Sequence, residues 1–203
     1  LKLGAILVPI NILLKAGEIA YHLRDCGARA LICFEGTAEL PLGAEGRAAF
    51  AQVPECTLFV AIGRGHEGEE SFEALSQGQP PRLDTAVMAP TDTAVILYTS
   101  GTTGTPKGAE LSHSNLAMNA LASVAMTRLD SHDVSLIALP LFHSFGQSVQ
   151  MNASAASGGS MVLLPRFEAE AAMRAMTAHS VTVFAGVPTM YIALLNLPGS
   201  TER

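Results

Sequence analysis

An α/β fold, layered and with mainly parallel strand pairing, is predicted by three observations. Short apolar runs alternate with longer segments of helical period along the whole chain. The runs are continuous rather than alternating, as strands buried on both faces are. One of them, Ala94–Tyr98, ends in a stretch dense in glycine and hydroxyl residues, and a helix-like segment opens soon after it near Ser112.

The elements follow in order. Leu3–Pro9 reads as a buried strand. Ala16–Cys26 reads as a helix, with Ile19, Ala20 and Leu23 on one face and Gly27 as its stop. Ala30–Phe34 is a strand, Ala44–Gln52 a weak helix, and Thr57–Ile62 a strand. Residues 63–83 hold glycines, Pro80, Pro81 and the charge run Glu67, Glu69, Glu70, and read as a solvated connection with one helical turn at Phe72–Leu75. Ala94–Tyr98 is a strand, and Ala109–Leu111 returns as its hairpin partner. Ser112 or Ser114 caps a helix through Thr127. Val134–Leu139 is a strand, and Phe145–Ser157 a small-residue helix ended by Gly158-Gly159. Met161–Leu164 is a strand, and Glu168–His179 a helix with acidic residues in its first turn. Val181–Phe184 is a strand, and Thr189–Leu195 a helix. Met118, Met126, Met173 and Met176 read as core filler.

Composition bounds the function. The 203 residues are 49% hydrophobic and 15% charged, which suits a folded, core-rich chain and excludes a disordered one. The net charge of −6 argues against nucleic acid as the main partner. An anion site must therefore be a local device. The chain starts at Leu1, which reads as a processed or internal start. The apolar stretch after it is too short to span a membrane, is interrupted by Pro9 and Asn11, and lacks a signal-peptidase site. Cys26, Cys33 and Cys56 are odd in number and lack metal or redox spacing, which fits a reducing cytoplasm. The six histidines share no metal-ligand spacing, and no Gly-x-Ser-x-Gly elbow is present.

The residues after Tyr98 carry the chemistry. Gly101, Gly104 and Gly108 permit close backbone approach and positive φ. Thr99, Ser100, Thr102, Thr103 and exposed N–H groups donate to phosphate oxygens, and Lys107 adds a mobile point charge. A polyphosphate is the ligand that suits this loop; the bland alternative is a solvated turn between strands. The order is not that of the common P-loop. There the lysine directly follows the second glycine and precedes Ser or Thr. Here Lys107 follows Pro106 and Gly108 succeeds it.

Tyr98-Thr-Ser-Gly-Thr-Thr-Gly-Thr-Pro-Lys-Gly108 resembles the phosphate-binding signature of the adenylate-forming (AMP-binding) superfamily. Leu3-Gly-Ala-Ile-Leu-Val-Pro-Ile-Asn11, Pro140-Leu-Phe-His-Ser-Phe-Gly146, Met161–Phe167 and Val181–Tyr191 resemble further family segments, in the expected order. The wording is closest to the fatty-acid and aryl acid:CoA ligases. The resemblance implies ATP-dependent activation of a carboxylic acid, with a fatty acid expected first, to acyl-AMP and then to a coenzyme A thioester. Thr99, Ser100, Gly101, Thr102, Thr103, Gly104 and Lys107 are then the ATP phosphate-binding residues, with Lys107 also catalytic. Thr99 is a candidate Mg²⁺ contact. His143 is a catalytic and pocket residue. Phe145, Gly186, Val187 and Pro188 line the acid pocket. Arg166 is a candidate coenzyme A contact, or else a surface arginine.

The chain also departs from the family's pattern. The motifs that hold adenine and the ribose hydroxyls, and the mobile C-terminal domain with its lysine, are not found. The expectation is a partial N-terminal adenylation domain over 1–203, with sub-lobes of about 1–83 and 93–203 and a linker of about 63–92. Alone it is expected to be inactive and to associate through exposed core surface. Two alternatives stay open: an adenylation module that loads a carrier protein, and a truncated, non-catalytic nucleotide-binding or interaction protein.

Overall fold

The computed structural model describes residues 1–63, 65–99 and 104–199. Two compact units emerge, Leu1–Met88 with Ala94–Glu110, and Ala89–Thr93 with Leu111–Arg203. Both are α/β, as the alternation of runs and helical segments predicts.

In the first unit a parallel sheet forms from β1 (Ala30–Phe34), β2 (Leu58–Ile62) and the two-residue β3 (Glu70–Ser71), in that order. Parallel neighbours need a crossover, and α2 (Leu42–Phe50) supplies it between β1 and β2. The helix has poor intrinsic propensity because of Gly43 and Gly46. Those glycines are what let it lie close. A Cβ on Gly46 would stand 2.8 Å from Cys33 Sγ. With α1 (Ala16–Asp25) this helix covers one face of the sheet. Ile19, Ala20, Leu23, Leu31, Ala49, Val53, Cys56, Phe59 and Ala61 form the core there. Glu45 of α2 ties the helices together by accepting from Ala16 N at 2.8 Å and Lys15 Nζ at 3.2 Å, which caps the start of α1.

An ion cluster closes the far end of this sheet. Arg47 reaches Glu35 and Glu69 with a bidentate fork to each, and its guanidinium lies 5.3 Å from the centroid of the Phe59 ring. The charge run at 67–70 is thus not uniformly solvated. Glu69 also accepts from His66 N at 2.8 Å, and Glu70 enters β3. The short helix α3 (Phe72–Ser76) is capped by Ser71, whose hydroxyl accepts from Ala74 N.

Largely within this unit, β4 (Thr93–Thr99) and β5 (Lys107–Ser112) form a two-stranded sheet. The predicted strand Leu3–Pro9 is corrected. Only Leu7 bridges, in parallel with Val95, through Leu7 N to Ala94 O and Ile96 N to Leu7 O. Leu3, Ile6 and Leu7 are exposed, since no described element of the unit buries them.

In the second unit β6 (Val134–Ile137) lies between β7 (Ser160–Leu163) and β8 (Val183–Phe184), parallel to both. Ser112 caps α4 (His113–Thr127) in a reciprocal box with Asn115, at 3.1 and 3.0 Å. The segment predicted as one helix, 145–157, begins as eight π-helical residues, Phe145–Asn152, and continues as α5 (Ala153–Ser157). Gly158, at φ +75°, ends it. Ser154 of α5 donates to Ser135 of β6 inside the core, at 2.9 Å. The crossover α6 (Ala169–Ala178) joins β7 to β8, and α7 (Pro188–Leu195) follows. Met173 and Met176 are half-buried on α6, but Met118 and Met126, expected in the core, are 65% and 85% exposed on α4.

Arg47→Met is expected to cost roughly 2–3 kcal/mol in urea unfolding at pH 7, because it strands two carboxylates that lose charged hydrogen bonds. The Arg47 fork holds the Glu69 carboxyl at about 2, against roughly 4.3 in an unfolded chain. The depressed value adds stability that is full above the unfolded pKa and lost as pH falls towards 2. Glu69→Gln should therefore flatten the loss of stability between pH 5 and 2, and an unchanged acid transition would contradict this assignment.

Candidate functional site

The predicted site residues fall in both units. In the first, Thr99 is the last residue of β4 and is exposed. Gly104 takes φ +85°, a conformation only glycine adopts without strain. Lys107 opens β5 with its side chain exposed. Ser100, Gly101, Thr102 and Thr103 lie outside the described residues. Gly108 serves packing: a Cβ there would stand 2.7 Å from Ile96 Cγ2 and 3.2 Å from Tyr98 Cζ. The glycine lets both β4 side chains cross over β5.

A cluster that the sequence reading did not single out stands beside these strands. Tyr98 donates its hydroxyl to Asp25 Oδ2 at 2.6 Å. Burial, and then the Asp25 carboxylate, push the Tyr98 hydroxyl well above its ordinary pKa. Tyr21 donates to the carbonyl of Pro106 at 2.9 Å. Between them His22 is 4% exposed, with its ring 4.0 Å from that of Tyr98, centroid to centroid. Its Nδ1 lies 2.6 Å from Glu18 O. A carbonyl only accepts, so Nδ1 is the donor in this contact. The helical spacing of Tyr21 and Asp25 was legible in the sequence; their partners, more than 70 positions away, were not.

In the second unit the other predicted residues gather at one edge. β6, β7 and β8 are parallel, so the segments leaving their carboxyl ends emerge on the same side of the sheet. These segments carry Pro140–Phe145, Arg166 and Ala185–Pro188, where ligands bind in open parallel sheets. His143 and Arg166 are exposed, and Phe145 is 45% exposed. His143 N donates to Pro140 O at 3.1 Å, and the His143 ring lies 5.7 Å from that of Phe142. Gly146 is pressed against the strand end: a Cβ there would stand 2.5 Å from Pro140 O. Val187 precedes α7 in extended backbone without a side-chain cap, and Pro188 takes the helix's first position, as the sequence predicts. Gly186 faces Phe184 and Met190, and its N–H donates to Tyr191 Oη at 3.2 Å. That hydroxyl in turn donates to Phe184 O.

Gln147 and Gln150, both buried on the π-helical segment, were also missed. Gln150 Nε2 donates to Ala185 O at 2.8 Å, which fixes the residue before Gly186. The Oε1 atoms of both glutamines are buried without a donor among the described residues. Polar residues inside a mixed apolar and small-residue helix gave no pattern to read.

The cofactor expectations can be tested on these residues. Exposed Lys107, the left-handed Gly104 and the exposed Thr99 fit a polyphosphate. Mg²⁺ needs hard oxygen ligands, commonly one or two carboxylates with phosphates and water. Thr99 is the candidate oxygen here, and no cluster of three His, Cys, Asp or Glu residues forms a metal site among the described residues. No described helix is long and apolar enough to cross a membrane.

Gly146→Ala is expected to lower the melting temperature by several degrees, because the added methyl meets backbone rather than a movable side chain. An unchanged melting temperature would show that the strand end can move aside.

Comparison with known proteins places the chain in a family. Residues 1–203 match the AMP-binding enzyme family throughout. A feruloyl-CoA synthase of Amycolatopsis sp is 34% identical over 200 residues, covering 96% of this chain and 36% of that protein. An indoleacetate–CoA ligase of Aromatoleum aromaticum is 34% identical over 199 residues, covering 97% and 38%. A crystal structure of an anthranilate CoA ligase in complex with anthranoyl-AMP superposes with a TM-score of 0.86 at 35% identity, covering 99% of this chain and 39% of that one. The chain thus spans little more than a third of the length of these proteins. Family match, relatives and fold agree that the chain belongs to the AMP-binding enzyme family, whose members similar to it are acid:CoA ligases.

Proposed function

We propose that the protein to which this chain belongs activates a carboxylic acid with ATP and passes the acyl group to coenzyme A. A carboxylate oxygen attacks the α-phosphorus and pyrophosphate leaves. The coenzyme A sulfur then attacks the acyl carbonyl, and AMP leaves. The observation that carries this reading is the order Thr99–Gly108 between β4 and β5, with Lys107 exposed where it can meet an anion. Negative charge grows on the departing pyrophosphate. Hydroxyls and N–H groups of Thr99–Gly104, with the Lys107 ammonium, stabilise it where it develops. Mg²⁺, when bound, would neutralise part of the same charge, and Thr99 is its candidate contact in this chain.

His143, Phe145, Gly186, Val187 and Pro188, at the carboxyl edge of the second sheet, are the proposed acid-contacting residues. Arg166 is the proposed coenzyme A contact. A fatty acid is the expected substrate from sequence. The relatives named for feruloyl and indoleacetate groups instead favour a ring-bearing acid, which the neighbouring rings of Phe167, Phe184 and Tyr191 suit. The three cysteines are free thiols, in keeping with a cytoplasmic location. The chain is proposed as part of an N-terminal adenylation domain.

ATP should protect the chain against thermal unfolding, and Lys107→Ala should abolish that protection. Protection that survives the substitution would remove the loop from the site. The chain alone should show negligible carboxylate-dependent pyrophosphate exchange, since groups expected to grip the ribose and α-phosphate are not among its motifs. Exchange near the rate of a complete acid:CoA ligase would refute this. Leu3, Ile32, Phe34, Leu163 and Leu195 are more than half exposed, so association is expected in light scattering, and a monodisperse monomer would count against it.

A further inference from the structure

One turn of α1 holds both flanks of the phosphate loop. Tyr21 and Asp25 are four residues apart, and therefore share a face of the helix. Tyr21 donates to Pro106 O, one residue before Lys107, at 2.9 Å. Asp25 accepts from Tyr98, one residue before Thr99, at 2.6 Å. The two contacts thus grip the strand that enters the loop and the residue that leaves it. His22 fills the space between, edge-on to the rings of Tyr98 and Tyr21 at 4.0 and 5.7 Å. The opposite face of the helix is anchored by Ile19, Ala20 and Leu23 in the core. The grip therefore stands on a fixed base.

We propose that Tyr21 and Asp25 are positioning residues that set the separation of the loop's flanks, and so the reach of Lys107 towards a bound polyphosphate. The proposal rests on the reading of Thr99–Gly108 as a polyphosphate site. Neither residue touches the ligand. Each holds a flank of the loop, Pro106 or the end of β4, against the helix, so the flanks stand in place before the anion binds. Tyr21→Phe deletes one oxygen and leaves the ring in place. Losing the single hydrogen bond frees Pro106 to move and carries Lys107 with it.

The test uses inorganic tripolyphosphate as the probe, titrated calorimetrically into the full 203-residue chain. Lys107→Ala first checks the site itself. Tyr21→Phe is expected to weaken binding by about five- to tenfold, the range one net hydrogen bond supplies, with the unliganded circular dichroism spectrum unchanged. Tyr21→Phe on top of Lys107→Ala should cost nothing further, because the tyrosine acts through the lysine. Asp25→Asn keeps an acceptor for the Tyr98 hydroxyl and should recover the binding that Asp25→Ala loses. Should Tyr21→Phe lower the melting temperature and leave the affinity unchanged, Tyr21 is structural only and the proposal is overturned while the loop assignment stands. Should the unsubstituted chain and Lys107→Ala bind the probe equally, the loop assignment falls and the grip loses its purpose with it.

Discussion

Parallel strand pairing constrains the rest of this structure. Each parallel neighbour must be reached by a crossover, and each crossover returns the chain to the same end of the sheet before the next strand begins. Strands β6, β7 and β8 therefore all release their following segments at one edge. His143, Arg166 and Gly186 are far apart in sequence, yet they meet that edge because the connection rule leaves them no other place. The candidate acid site follows from topology before any side chain is considered.

The crossovers must also lie close to the sheet, and small residues mark where they do. Gly46 faces Cys33 under α2, and Gly146 sits on the carbonyl of Pro140 under the π-helical segment. Ala153 and Ser154 are essentially inaccessible at the start of α5. Around Gly146 the helix is wound with π geometry, which is uncommon and recurs at functional sites. Two buried glutamine oxygens without a donor among the described residues stand in the same eight residues. Both glutamines are buried on this segment. Gln150 links the segment to Ala185, the residue before Gly186.

Much of this was legible in sequence, and the limits have physical causes. Ser112, Gly158 and Pro188 act through residues within a few positions, so their caps and stops could be read directly. Strand runs such as Ala30–Phe34 and Leu58–Ile62 were clear because β-branched and aliphatic residues leave little alternative between turn signals. Burial was harder. Leu3, Ile6 and Leu7 have the composition of a buried strand, but burial needs a covering surface, and no described element of the first unit supplies one. Met118 and Met126 have the right chemistry for a core and the wrong side of α4. Glu69 looked solvated because its partner Arg47 is 22 positions earlier. Of the candidate site, residue identities and strand ends were readable; Tyr21, Asp25, Gln147 and Gln150 were not, since each acts through a contact that only folding creates.

The grip on the phosphate loop has a consequence for how stability and binding are linked. Ile19, Ala20 and Leu23 bury one face of α1, and Tyr21 and Asp25 use the other. A helix of ten residues has little stability of its own, so its position is set by that core and by the Glu45 cap. Anything that loosens the core displaces both flanks of the loop together, whereas a change at Tyr21 releases one flank alone. Core truncations at Leu23 should then weaken polyphosphate binding in step with the fall in stability, because the loop's geometry is borrowed from the helix. Tyr21 is the point at which the two effects separate. Its hydroxyl contributes nothing to the core, yet it fixes the backbone next to the one cation the loop carries.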